Sequence, residues 1–471
     1  MNTPIVDFVR RYARQRTTRM HMPGHKGRGP LGCEELDITE IAGADELYEA
    51  EGIIAQSEAN ATQLFGTART YYSTEGSSQC IRAMLHLALQ MRPTKAGRPV
   101  LLAARNAHKA LLYAAALLDF DIQWLWPAPD AAGALCTCPV EPEALASALD
   151  ELSAEGRTPF GVYLTSPDYL GFVQDIAGLS AVCHTHGLPL LVDNAHGAYL
   201  HFLKESSRHP IQLGADLCCD SAHKTLPVLT GGAYLHLGSS VQADEAAVRN
   251  ALALFGSTSP SYLILQSLDA ANAVLADSFR EKLDICRWRL GMLCRELDAL
   301  RPGLALPLTG AHREPLKLTL DAAVLGLSGQ QLAQALRERG VECEYADPRY
   351  VVLMPSAESS AAEFACLQTA LHAICGEAPA ADVSVTTDDP AAFAALAGAL
   401  EAQPRRFTIR EAVLAPQEMI PAAEAVGRIC AAPAVSCPPA IPIVVSGETV
   451  PPEALPLFAR YGIEKAAVVK E

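Results

Sequence analysis

The sequence predicts an α/β fold: a large domain with a mostly parallel sheet, followed by a smaller α+β domain. Two observations predict it. From about residue 77 to 300, short apolar runs alternate with helical patterns, the order of successive β-α-β units. After about residue 305 the pattern changes. Strand-like runs at 316–320 and 350–354 flank a helical segment at 328–339, a Pro/Ala stretch follows near 376–382, and the tail is dense in proline. At 471 residues the chain is too long for one small core. It is expected to form two domains, 1–305 and 306–471.

The elements follow in order. Ile5, Phe8, Val9 and Tyr12 repeat at helical spacing, so the basic N-terminus reads as a short amphipathic helix and lacks the apolar stretch of a signal peptide. Strands are expected at 99–104, 160–165, 188–193, 215–219 and 232–237, with a helix at 175–186. Residues 269–300 read as one long amphipathic helix, stopped by Pro302 and Gly303.

Composition narrows the function. Lys plus Arg total 37 against 53 Asp plus Glu, a formal charge of −16, which argues against a general nucleic-acid or anionic-membrane binder. A cationic small substrate is not repelled by it. The longest apolar runs, such as 110–118, are far too short to span a membrane. The 14 cysteines follow no zinc or disulfide spacing, so no metal is expected and the thiols read as reduced, in a cytoplasmic protein.

Three polar clusters fall where strands end, the edge at which open parallel sheets gather ligands. The first is Ser73-Thr74-Glu75-Gly76-Ser77-Ser78, ahead of a helical face. A glycine turn and a helix N-terminus suit a phosphate, although alone the cluster reads first as a helix cap. The second is Asp193-Asn194-Ala195-His196, whose strand-end carboxylate is equally a cap or a partner for a cation. The third is Ser221-Ala222-His223-Lys224, and a lone lysine is ordinarily a solvated charge. Order changes that reading. A phosphate-loop candidate, a strand-end Asp and then a Lys 31 positions later (224 − 193) is what pyridoxal phosphate (PLP) requires: a donor cradle, an anion for its ring nitrogen and an amine for its aldehyde.

Longer motifs sharpen this. "MHMPGHKG" at 20–27, "DITEI" at 37–41, "GIIAQSEANATQLFG" at 52–66, "RNAHK" at 105–109 and "TSPDYLG" at 165–171 come in order. "VDNAHGAYLHF" at 192–202, "DSAHKTLPVLTGGAYLH" at 220–236, "STSPSYLILQSLD" at 257–269 and the tail "PPAIP" with "SGE" at 446–448 continue the set. In this set the chain resembles the Orn/Lys/Arg decarboxylases of PLP fold type I, whose large domain is like that of aspartate aminotransferase.

The resemblance implies roles residue by residue. Lys224 matches the Schiff-base lysine, and Ser221 and His223 match groups near the phosphate. Asp193 matches the partner of the pyridine nitrogen. His108 matches the imidazole on the ring face, and His196 a donor to the ring hydroxyl. Gly76, Ser77 and Ser78 match the phosphate loop. Thr258 and Ser259 match phosphate-side residues that relatives lend across a dimer interface, so a homodimer or larger assembly is implied. Departures are Glu75 where the family has Asn, Asn194 where it has Glu, Ser436-Cys437 at its Tyr position and Ala440 for its Gly.

The implied reaction is decarboxylation of a small cationic amino acid, with arginine preferred over lysine or ornithine, to agmatine or a diamine. Glu344 and Asp347, in the acidic turn of "VECEYADPRYVVLMP", are the candidates for the substrate's distal cation, with Asp45 or Glu46 of a neighbouring subunit as the fallback. Two other readings stay open here. One is a different PLP reaction such as aminotransfer, for which Arg349 or Arg406 could clamp the α-carboxylate. The other is a non-catalytic PLP-binding relative.

Overall fold

The computed structural model describes residues 1–93, 97–127, 136–378, 390–403, 406–432, 435–437 and 441–470. Among the described residues of the first half, seven strands alternate with helices. In chain order they are β1 (Arg69–Ser73), β2 (Val100–Ala104), β3 (Asp121–Leu125), β4 (Val162–Thr165), β5 (Leu190–Asp193), β6 (Leu217–Asp220) and β7 (Ala233–Leu237). The expected helix at 175–186 is present as Ile176–Thr185. β1 and β3 were not foreseen. Their segments, "RTYYS" and "DIQWL", are broken by polar residues and give no continuous apolar run.

By packing, the chain divides into two compact units, each built from two stretches. The first is 1–93 with 176–284, and the second 94–175 with 285–471. This grouping follows contacts and not chain order, so residue 305 lies inside the second unit.

In the first unit β5 and β6 are parallel neighbours, while β7 runs antiparallel to both β6 and β1. β5 and β6 therefore end side by side, which places the loops after Asp193 and Asp220 next to each other. The helix Ser77–Met91 buries Ile81, Met84, Leu85 and Ala88. The N-terminal helix is Pro4–Arg14, with Ile5 and Val9 fully buried.

The single helix expected at 269–300 is two. One runs Tyr262–Asp277 and the next Phe279–Leu300, with Ser278 between them. The hydroxyl of Ser261 caps the first, accepting from the Ile264 N–H. The carbonyl of Ser278 starts the second, accepting from the Lys282 N–H at 3.2 Å. The Ser261 cap is side-chain chemistry that apolar periodicity does not report.

The second unit holds parallel β2–β3 and β2–β4 pairs. It also holds a three-stranded antiparallel sheet of β8 (Leu318–Asp321), β10 (Tyr350–Leu353) and β9 (Tyr345–Ala346), with β10 central. Gly329–Arg337 is the expected helix, started by a Ser328–Gln331 capping box. Gln417–Pro421 pairs with Lys465–Val469, and Val435–Cys437 with Ile441–Val444. Most of 376–382 and the "PPA" of the tail fall outside the described residues.

Candidate active site

β6 delivers its chain end to Ser221, the N-cap of the one-turn helix Ala222–Thr225. Lys224 sits in that turn, half-buried, with its Nζ 3.0 Å from Nε2 of His196. His196 comes from the neighbouring loop, three residues past the end of β5, and is nearly fully buried. Asp193 closes β5. Its Oδ1 accepts from the Ala195 N–H at 3.1 Å and from the Cys219 thiol at 3.7 Å. His223 turns away from this pair, its Nδ1 lying 3.1 Å from the Gly232 carbonyl.

The loop after β1 approaches the same place. Ser221 donates its hydroxyl to Ser77 Oγ at 2.7 Å, 144 positions apart in sequence. Gly76 takes a left-handed φ of +72° and carries no side-chain cap for the helix that follows. Its N–H goes to the Gly231 carbonyl at 2.8 Å. Gly231 is itself at φ +99°, and a Cβ there would press to 3.0 Å on the Thr74 carbonyl, so the approach of these two loops depends on glycine. Ser73 and Gln79 are buried and bonded to each other, and Glu75 is exposed, its N–H given to Ser73 Oγ.

Beneath these loops lies a fully buried acid that sequence reading passed over. Asp220 Oδ1 accepts from Asn194 Nδ2 at 2.6 Å, and Oδ2 faces Nε2 of His209 at 3.0 Å and of His236 at 3.2 Å. Burial works to raise its pKa, but the two imidazoles and their hydrogen bonds hold it well below the usual carboxylate range. His209, Cys218 and Asp220 also stand close enough to hold a metal. Tautomer chemistry argues otherwise. His209 Nδ1 accepts from the Ile211 N–H, so its Nε2 carries the hydrogen and donates to Asp220, leaving no lone pair for an ion.

Thr258 and Ser259 are exposed, on the stretch leading into Tyr262–Asp277, and the structure does not gather them with Ser77 and Ser221. Asp45 is committed to the start of the helix Ile53–Phe65, its Oδ2 accepting from Gly52 and Ile54 N–H groups at 2.8 and 3.0 Å.

In the second unit, His108 caps the helix Lys109–Leu118, its Nδ1 accepting from the Ala110 N–H at 3.2 Å. Three residues earlier, Arg105 makes a two-pronged pair with Glu448, each nitrogen–oxygen distance 2.9 Å. Glu344 is exposed. Asp347 is buried and spent on its own turn, bonding the Tyr345 hydroxyl and the Arg349 and Tyr350 N–H groups at 2.8, 2.8 and 2.6 Å. Arg349 is held by Asp321 at 2.7 Å through Nη2 and at 3.1 Å through Nε, so it is not poised as a carboxylate clamp. Arg406 is exposed.

A sequence-family description decides the family. The major domain of the Orn/Lys/Arg decarboxylases matches residues 3–286. The chain belongs to the Orn/Lys/Arg decarboxylase family. It is 29% identical over 477 residues to the uncharacterized protein YaaO of Bacillus subtilis, covering 98% of this chain and 94% of that one. It is 27% identical to the arginine decarboxylase of Bacillus subtilis, over 96% of this chain and 92% of that one. Among solved structures it is similar to the constitutive lysine decarboxylase of E. coli, with a TM-score of 0.74 at 19% identity, covering 99% of this chain and 80% of that one. That likeness shows the fold, the PLP fold type I expected from sequence. As a member of this family the chain is an amino acid decarboxylase, a carboxy-lyase of the PLP-dependent kind. Among the described residues no helix is long and apolar enough to cross a membrane.

The residues of this decarboxylase fit a phosphorylated cofactor. The Gly76 turn leaves the first N–H groups of Ser77–Met91 without a side-chain cap, the arrangement that favours a bound anion. The hydroxyls of Ser77 and Ser221 lie together there, and the Thr74 hydroxyl is buried with no partner. Glu75, whose charge would oppose an anion here, is exposed. The Asp220 network was missed because its members, at 194, 209, 220 and 236, follow no recognisable spacing. The one available signal was an acid ending an otherwise apolar strand.

Proposed function

We propose that this protein decarboxylates a basic amino acid, arginine in preference to lysine or ornithine, releasing CO2 and agmatine or a diamine for polyamine metabolism. The observation that carries the reading is the contact of Lys224 Nζ with His196 Nε2 at 3.0 Å, beside the Ser77–Ser221 hydroxyl pair. It supports an amine held ready at the end of β6, next to a ready anion cradle. The arginine preference is supported by relatives named arginine decarboxylase that match nearly the whole chain.

Lys224 would hold PLP through its aldehyde carbon. Gly76, Ser77, Ser78, Ser221 and His223 would serve the phosphate, and Thr258 and Ser259 would serve it from a partner subunit. Asp193, kept dry at the end of β5, would hold a proton on the ring nitrogen, and His196 would face the ring hydroxyl. The roles of His108 and of the partner residues rest on the resemblance. When bound, the cofactor supplies an electron sink for the pair left by departing CO2. Lys224, freed by the substrate amine, would return a proton to the α carbon. Glu344, exposed and uncommitted to its own turn, is the better supported of the two acids for the distal cation. The assignment of 1–305 to a cofactor-binding large domain and 306–471 to a small domain belongs to this proposal, as does a cytoplasmic homodimer.

The test is to incubate the protein with PLP and each of arginine, lysine and ornithine, following CO2 and amine. Agmatine from arginine at the highest kcat/KM is the expected result. A keto acid in place of an amine would overturn decarboxylation, and faster turnover of lysine or ornithine would overturn the substrate.

A further inference from the structure

We propose that Asp220 is a positioning residue of the site: through Asn194 it locks the loop carrying Asp193 and His196 in register with the loop carrying Ser221 and Lys224. This rests on the reading of Lys224 as the cofactor lysine.

The geometry is specific. Asp220, Asn194, His209 and His236 are all fully buried. Asn194 lies between the two predicted cofactor residues of its loop, and Asp220 directly precedes Ser221. The 2.6 Å bond from Asn194 Nδ2 to Asp220 Oδ1 is therefore a side-chain tie joining the two loops at their roots. A backbone bond from the Asn194 N–H to the Cys219 carbonyl, at 2.9 Å, runs alongside it. Asp220 cannot swing to follow a moving loop, because its other oxygen is pinned by two imidazoles. His209 is fixed by its cap on Ile211, and His236 by the Thr70 hydroxyl at 2.8 Å on β1. Asn194 stands where the family usually has glutamate, and here its amide is the donor that Asp220 accepts. A carboxylate there would meet Asp220 at hydrogen-bond distance, an unpaired clash of like charges in a dry place.

A charge swap tests this. Asn194→Asp sets two carboxylates against each other, and Asn194→Asp/Asp220→Asn restores one donor and one acceptor while an oxygen still faces both histidines. Two readouts are taken on the full-length protein. One is the rate at which an amine-reactive reagent modifies Lys224 in the cofactor-free protein, followed by peptide mapping. The other is kcat and KM with PLP bound. The expected result is a change of at least fivefold in Lys224 modification and a tenfold fall in kcat for the single variant, with KM within threefold, and recovery of both within threefold in the swap. A single variant that loses only thermal stability, or a swap that recovers stability but neither readout, would overturn the proposal. If Lys224 never takes up PLP in the wild-type protein, the function reading fails instead, and the modification rates still decide the positioning role.

Discussion

Arg105 and Glu448 lie 343 positions apart and form a buried two-pronged ion pair at 2.9 Å. Each belongs to a separate sequence motif, "RNAHK" near the front of the chain and "SGE" near its end. The guanidinium also lies over the rings of Trp124 and Trp126, 4.8 and 4.6 Å from their centroids, and donates to the Ile443 carbonyl. Within the second unit this one side chain ties β2 to the C-terminal segment.

Glu448→Ala is expected to cost roughly 3–5 kcal/mol, because it strands a buried guanidinium. Arg105→Lys should also destabilise, since a lysine loses both the fork and the stacking. Urea unfolding of the two variants measures this. A loss under 1 kcal/mol for Glu448→Ala would show the pair to be dispensable.

Lys224→Ala is expected to abolish the visible absorption of bound cofactor and to lower kcat by roughly a thousandfold or more. Borohydride treatment of the wild-type protein should fix the cofactor to the peptide containing Lys224. Fixation at another lysine would contradict the assignment.

The two acids of the small sheet should separate by phenotype. Asp347→Asn weakens the turn its carboxylate builds, so it should lower stability by about 1–3 kcal/mol with little change in KM. Glu344→Gln should raise KM for the preferred amino acid and leave stability unaltered. An unchanged KM for Glu344→Gln would mean that the distal cation is read elsewhere.

Asp269 links stability to pH. It is buried, accepts from the Ile5 and Val6 N–H groups and the Ser57 hydroxyl, and its pKa rises from 3.8 to about 6, chiefly through burial. A raised carboxyl pKa means that the folded state holds the proton more tightly. Its contribution is therefore fully present below pH 3.8 and is lost as pH climbs to about 6. Relative to wild type, Asp269→Asn should gain up to about 3 kcal/mol between pH 4 and pH 7. Denaturant unfolding at the two pH values checks the sign, and a flat difference would contradict it.

The protein should be at least a homodimer, the state that would let the exposed Thr258 and Ser259 reach a neighbour's phosphate. Light scattering measures it, and a fully active monomer would refute it.

The strands that sequence reading located are the ones with continuous apolar runs, β8 and β10 of the small sheet and, in the first half, β2, β4, β5, β6 and β7. Their ends placed Asp193, Ser221 and Lys224 at one edge. β1 and β3 escaped because their pattern is mixed, and the break at Ser278 escaped because apolar periodicity continues across it. The proposed roles at 193 and 224 were legible through their order along the chain, and that at 196 only through the family resemblance.

By itself the sequence determined the class of fold, the family and the strand-end residues, because hydrophobic period and motif order are local properties written along the chain. Only the tertiary structure decided that Asp347 and Arg349 are spent on their own turn and on Asp321, that Arg105 grips Glu448, and that Asp220 ties Asn194 to the lysine loop. Those are contacts made by burial. A carboxylate or guanidinium taken out of water must be met by whatever donor or acceptor the fold brings to it, and nothing in its local sequence names that partner.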